Sequence, residues 1–280
     1  AKAPLASPAF TTDATINGLT VGKGLAGVAS NTVVGKDALN ANTTGSSNVG
    51  IGKGALQANT TGSTNAAVGT DAAHLNTTGF QITALGNTAL YSNTTGTAVT
   101  ALGYNALYSN TTGGNNIAIG ANALYTNTTG QYNTASGVYA LYSNTTALYN
   151  TASGGYTLYT NTTGTENTAT GYGALQLNTT GSYNTAVGKA SGNANTTGAE
   201  NTSIGYRAGH DNTTAAGNVA VGFRASHDNQ TATGNVAVGY RALHNGTVGF
   251  NTAVGYSALT VNSTAAGNTA VGHESAKALT

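Results

Sequence analysis

Three histidines, His210, His227 and His244, recur at an interval of 17 residues, and Asp211 and Asp228 directly follow the first two. Imidazole with carboxylate is a ligand set for a divalent metal. If the interval is one turn of a stacked coil, these side chains come within about 5 Å of one another. The plainer alternative is a polar outer edge, because equivalent positions elsewhere carry mostly Tyr, Asn, Gln and Lys, with one more histidine at His74. The expectation is therefore no metal and no cofactor, with His210, His227 and His244 as the residues that would hold a metal. Arg207, Arg224 and Arg241 form a parallel column, with Asp211 and Asp228 as expected ion-pair partners. Tyr91, Tyr108, Tyr125, Tyr142 and Tyr159 form another. Both columns are candidates for glycan or anion contact. For the tyrosines the favoured reading is a stacked ladder that stabilises the stack.

Catalytic chemistry finds little material. The chain has eight Asp and Glu in 280 residues, no Cys, and no Gly-rich loop ending in Lys-Ser/Thr. The acids are too scattered for the paired carboxylates of glycoside hydrolysis. We expect no enzyme. Nine basic residues against eight acidic ones leave a net charge of +1, which is no footprint for nucleic acid. No apolar run is long enough to cross a membrane as a helix. Disulfide and zinc scaffolds fall with the cysteines. Charged residues make up 6% of the chain, whereas Gly, Thr and Asn together make up nearly half. Such polarity would suggest disorder, but the 15 Tyr and the many Val, Ile and Thr argue against it.

What positions these columns is a repeat. Asn-Thr-Thr starts at Asn42, Asn59 and every 17th residue through Asn110 and Asn178 to Asn212. In parallel a Gly closes a short apolar run at Gly35, Gly52, Gly69, Gly103, Gly188 and their equivalents, down to Gly272. One unit is short by a residue, placed by this pattern between Gly239 and Asn245. The unit reads Asn-Thr-Ala-Val-Gly-Tyr-x-Ala-Leu-Tyr-Ser-Asn-Thr-Thr-Gly-x-x. β-Branched residues bounded by Gly predict a strand. Asn-Thr-Thr-Gly predicts a turn. The Ala-Leu leg between them predicts a second short strand or one helical turn. A unit this short buries its apolar face only by stacking, which is the logic of a solenoid. The expected fold is all-β: a repetitive parallel β-solenoid or β-roll with 17-residue coils. Residues 1–20 form a non-repeating lead-in, and residues 21–280 an array of about fifteen repeats. The chain starts Ala-Lys-Ala-Pro without a Met, which reads as a processed product or a piece of a longer polypeptide.

In each strand Thr and Val share one face, and Ala occupies the other. A strand apolar on both faces needs two partners. One is the interior of its own coil; the other, on this reading, is a neighbouring chain approaching closely over the small Ala residues. The Asn-Thr-Thr row is formally a row of glycosylation acceptors, but rungs about 5 Å apart leave no room for a glycan on each. Stacked Asn amides explain it better. The Thr columns also raise ice binding, which would need a flat exposed Thr array.

Two features carry a resemblance. Ala3-Pro4-Leu5-Ala6-Ser7-Pro8-Ala9-Phe10-Thr11 resembles a Pro-Leu-Ala-Ser-Pro-x-Phe-Thr segment common in bacteriophage tail fibres. Units such as Asn251-Thr252-Ala253-Val254-Gly255 resemble the Asn-Ser-Val-Ala-Ile-Gly signature of trimeric autotransporter adhesin heads, whose period is shorter. Those heads are left-handed parallel β-rolls. The resemblance implies a parallel homotrimeric fibre on a virion, extracellular. The partners it implies are further copies of the chain, other tail or baseplate proteins, and a host-cell glycan or protein. No nucleic acid and no membrane insertion are expected. The implied work is structural, extending or presenting host-cell adhesion. The alternatives are the repeat head of a bacterial surface adhesin and, in another class, an ice-binding solenoid.

Overall fold

The computed structural model describes residues 14–16, 19–24 and 27–279; the Pro-Leu-Ala-Ser-Pro segment lies outside them. The described residues hold no helix, and the fold is an all-β parallel solenoid. Its first two strands are β1 (Ala14–Ile16) and β2 (Leu19–Gly22), followed by β3 (Thr32–Val34). From β3 to Thr269–Val271, fifteen three-residue strands stack in parallel and in register, as in Thr100↔Ile117, Ala101↔Ala118 and Leu102↔Ile119. At a strand spacing of about 4.8 Å the stack is roughly 70 Å long.

β1 and β2 add what the repeat pattern did not show. They pair antiparallel with each other, and β2 pairs antiparallel with β3 through Val21↔Val34 and Gly22↔Val33. The first coil therefore does not present an open row of backbone donors and acceptors.

The second leg is neither of the two expected elements through most of the rod. It is a turn in which the inward Leu itself takes a left-handed backbone, with φ of 51° at Leu56, 52° at Leu107 and 51° at Leu141. A left-handed non-Gly residue costs about 1 kcal/mol. The coil offsets it by bonding to its neighbours at the turns as well as at the strand. Leu107 N donates to Ala123 O at 2.9 Å, Ser109 N to Tyr125 O at 3.0 Å, and Thr111 N to Thr128 O at 2.9 Å. A second sheet appears only in the last coils, between Asn245–Gly246, Val261–Asn262 and Ala278–Leu279. The strand-end Gly holds the tightest spacing. A Cβ on Gly103, where φ is 135°, would lie 2.7 Å from the carbonyl of Gly120.

The interior has an apolar half and an amide half. Most strands turn an Ala inward: Ala84, Ala101, Ala118 and Ala186 are fully buried, and the interior also holds the buried Leu90, Leu107, Leu124 and Leu141. The expectation that the Ala column faces another chain is thus corrected. The face left outward is the Val/Thr one, with Leu85 44%, Ile119 41% and Val187 38% exposed. The amide half is a ladder of ten asparagines from Asn42 to Asn195, in which each Nδ2 from Asn59 onward donates to the Oδ1 of the Asn one coil earlier. Examples are Asn110 to Asn93 at 2.9 Å and Asn127 to Asn110 at 2.8 Å. The Asn-Thr-Thr asparagines are therefore interior groups.

Candidate functional site

The chemistry-bearing residues gather in the coils from Asn201 to Asn251. Four departures from the repeat set this region apart. The Leu column gives way to Gly192, Gly209 and Ser226 before Leu243 resumes it, and the apolar core divides there into two clusters. Ser191 fills part of the gap, its Oγ donating to Ser203 O at 2.6 Å. The amide ladder stops at Asn195, whose Oδ1 is buried without a partner. Asn212 and Asn229 instead close their own turns, Asn229 Oδ1 accepting from Ala232 N at 2.9 Å.

The fourth departure is the short coil. Asn245 N donates to Thr260 O as Asp228 N donates to His244 O, and Gly246 pairs with Asn262. Asn245 therefore continues the Asp column, and Gly246 takes the place of the ladder Asn. Phe250 N bonds Thr233 O in the role Gly234 plays one coil earlier. The missing residue thus lies between Gly246 and Phe250, later than the spacing alone placed it. Beside this coil Asp228, Gln230, Thr231 and Thr247 line a cavity of about 280 Å³.

Left-handed turns at Arg207, Arg224 and Arg241, with φ of 52°, 51° and 52°, set the Arg and His columns side by side on the outer edge. His210, His227 and His244 stack face to face, with ring centroids 5.1 Å apart. Asp211 lies between two of them, its Oδ1 2.5 Å from His210 Nδ1 and its Oδ2 3.7 Å from His227 Nδ1. Asp228 repeats this, bonding His227 Nδ1 and standing 3.4 Å from His244 Nδ1. Asn245 accepts from His244 in place of a third Asp.

The Asp bonds fix the tautomer. Each Nδ1 carries its proton toward a carboxylate or amide oxygen, which leaves Nε2 bare. In His227 and His244 that Nε2 is buried without a partner. Protonation would put a buried N–H where nothing accepts it. Burial accordingly holds the His227 pKa below the ordinary imidazole value, against the opposing pull of Asp228 and Asp211.

For a metal, the donor identities suit a borderline divalent cation: His210, Asp211 and His227, or His227, Asp228 and His244, have ligand atoms within 4.8 Å of one another. The geometry suits it less. Two nitrogens on one zinc stand about 3.4 Å apart at bonds near 2.1 Å, and parallel rings held at the coil spacing would have to close toward each other. The Asp carboxylates serve the imidazoles.

The expected Arg–Asp pairs do not form. Among the described residues none of the three arginines makes an ion pair, and Arg224 Nε and Arg241 Nε are buried with no partner. Arg207 and Arg224 instead place their guanidinium carbons 5.7 Å from the rings of Tyr206 and Phe223. Those rings belong to an exposed stack that runs Tyr206, Phe223, Tyr240, Tyr256 and His273 at 5.0–5.3 Å. Sequence reading had not singled out this column, although its residues recur one position after the strand-end Gly.

The Tyr column of the earlier coils behaves otherwise. Tyr91, Tyr108, Tyr125, Tyr142 and Tyr159 stack at 5.1–5.3 Å and within 15° of parallel, with His74 stacked below Tyr91. Their flat faces meet one another, so they offer ring edges to the outside. Burial raises the Tyr142 pKa, and its neighbours Tyr125, Tyr159 and Tyr139 raise it further. The comparisons agree in finding no relative: the chain matches no family model, no curated protein and no solved structure.

Proposed function

We propose that the chain is shaft material of a bacteriophage tail fibre, a parallel homotrimer that extends a host-attachment function. Its work is mechanical and not catalytic. One observation carries the reading: an in-register stack of fifteen strands turns a Thr-rich face outward, with Val, Ile or Leu at the third strand position in every coil except those of Ser136, Ser153 and Thr170. Apolar strips of that kind, one on either side of those three coils, mark an interaction surface. A straight, parallel partner of the same repeat covers it best, since only a copy of the chain matches it coil for coil. The number three and the phage setting rest on the sequence resemblance. On this reading the fibre joins other tail or baseplate proteins and meets a host-cell glycan or protein, outside the cell.

Light scattering on the purified chain tests the assembly. A mass of three times 27.5 kDa and rod-shaped particles in negative stain support it. A stable monomer at 27.5 kDa would sink it. Ile119→Asp with Leu85→Asp, two coils apart on the outward face, should convert the trimer to monomer without unfolding the coil.

A further inference from the structure

Stacked like charges are rare in this chain, and the reason is physical. A charge in a repeat column meets its own copy about 5 Å away in the next coil, a repulsion that must be relieved. Between Asp71 and Glu166 the chain carries no Asp, Glu, Lys or Arg at all. Asp211 and Asp228 do stack, but a histidine ring nitrogen stands against each carboxylate. Arg207, Arg224 and Arg241 are the one place where three like charges stand in successive coils. No carboxylate among the described residues answers them, and no acceptor takes their Nε protons at Arg224 and Arg241. Lys189, exposed one coil below in the adjoining aromatic column, extends the positive line. The Tyr206–Phe223–Tyr240 ring edges flank it.

We propose that this column is a binding track for an extended acidic polysaccharide with one carboxylate per sugar, laid parallel to the rod. Each guanidinium would give a two-pronged hydrogen bond to one carboxylate, a geometry that arginine forms and lysine does not. The rise of one coil is comparable to the length of one pyranose ring, so a chain whose glycosidic torsions turn its carboxylates to one side brings one carboxylate level with each arginine. The flanking ring edges and Tyr hydroxyls suit a sugar's mixed surface. Nucleic acid fits less well, because bases seek a free aromatic face and these rings are stacked on one another. The track gives the proposed fibre a ligand class, but the binding is a property of the chain alone. Its failure would leave the trimeric shaft standing, and a monomeric chain would leave the track standing.

The test uses the full chain and oligogalacturonate, with its fully methyl-esterified form as the uncharged control, followed by calorimetry at low and moderate salt. The expected result is binding of the acid form, weakened by salt, and none of the ester. Arg207→Gln/Arg224→Gln/Arg241→Gln should lower affinity at least about tenfold and flatten the salt dependence. The triple Lys variant should fall between, because it keeps the charge and loses the paired hydrogen bonds. Thermal unfolding of each variant confirms that the coil is intact. Unchanged affinity in a folded Gln variant, equal binding of the ester, or no binding by the natural chain would each overturn the proposal. Tighter binding of a single-stranded oligonucleotide of equal charge would overturn the sugar assignment.

Discussion

Coils up to Asn195 and coils from Asn201 onward share one backbone path and differ in what fills it. The first set has a Leu at nearly every inward turn, a continuous amide ladder and an uncharged Tyr stack. The second has Gly209 and Ser226 where Leu anchors stood, closes Asn212 and Asn229 on their own turns, and carries Arg, His and Asp columns. The difference teaches that the fold tolerates a thin interior provided the backbone bonds between coils persist. Positions released from packing are where charge accumulates.

The comparison can be broken most severely at what the two sets share. Gly103→Val would force a Cβ to 2.7 Å from the Gly120 carbonyl at a φ of 135°. A loss on the order of 4 kcal/mol or more, seen as collapse of the cooperative melt, is expected. Gly267→Ala, with nothing within 4 Å of the new Cβ, should cost only about 1 kcal/mol. If both melt alike, close coil contact is not what the glycine column serves.

Next comes the Leu column, where the two sets should answer with opposite signs. Leu124→Ala removes a fully buried anchor and should cost about 2–5 kcal/mol in denaturant unfolding. Ser226→Ala, at the equivalent place, removes a buried hydroxyl with no partner and should be neutral or stabilising. A smaller contrast separates the asparagines. Asn127→Ala leaves Asn110 Oδ1 without its donor and Asn144 Nδ2 with a 3.4 Å contact to Ala147 O, so about 2 kcal/mol is expected. Asn229→Ala breaks bonds within one turn only and should cost about half as much. Equal losses would mean that the ladder adds nothing beyond its separate turns.

The mildest effect is a pH dependence confined to the second set. Burial lowers the His227 pKa in the folded chain, so the unfolded chain takes up the proton first as pH falls below the ordinary value of 6.5. Stability from this group is present above that value and is lost as pH drops toward the folded pKa. A modest fall in Tm from about pH 7 to pH 5 is expected, and His227→Gln should flatten it. A Tm that rises on acidification would show the two Asp neighbours outweighing burial.

Much of this was legible in the sequence, and the limits have physical causes. A 17-residue period in Gly and Asn determines a stack of coils, because only equivalent positions in register keep Gly35, Gly52 and Gly69 in one column. Two-sided apolarity in a strand does not say which side is inside. Ala looked like the thin contact face, yet the coil is so narrow that the place beside Leu is nearly always filled by a small residue, most often Ala. The Ala-Leu leg was ambiguous because propensity favours a helix or strand for Leu, whereas inter-coil bonds hold it left-handed. Columns of the site were readable and their pairings were not: sequence spacing puts both Arg207 and His210 within four residues of Asp211, and only side-chain direction gives the carboxylates to the imidazoles. The short coil was misplaced because Asn245 mimics the ladder residue it precedes.

The Asn ladder also gives the rod a sense of direction. Every ladder amide from Asn59 to Asn195 sends its N–H toward the coil before it, so nine small dipoles stand head to tail along one axis. Such rows polarise one another and add instead of cancelling. The electron-rich end is Asn195 Oδ1, facing no donor. The next coil begins the line of arginines. A shaft with almost no net charge thereby acquires a negative pole just where its uncompensated cations begin.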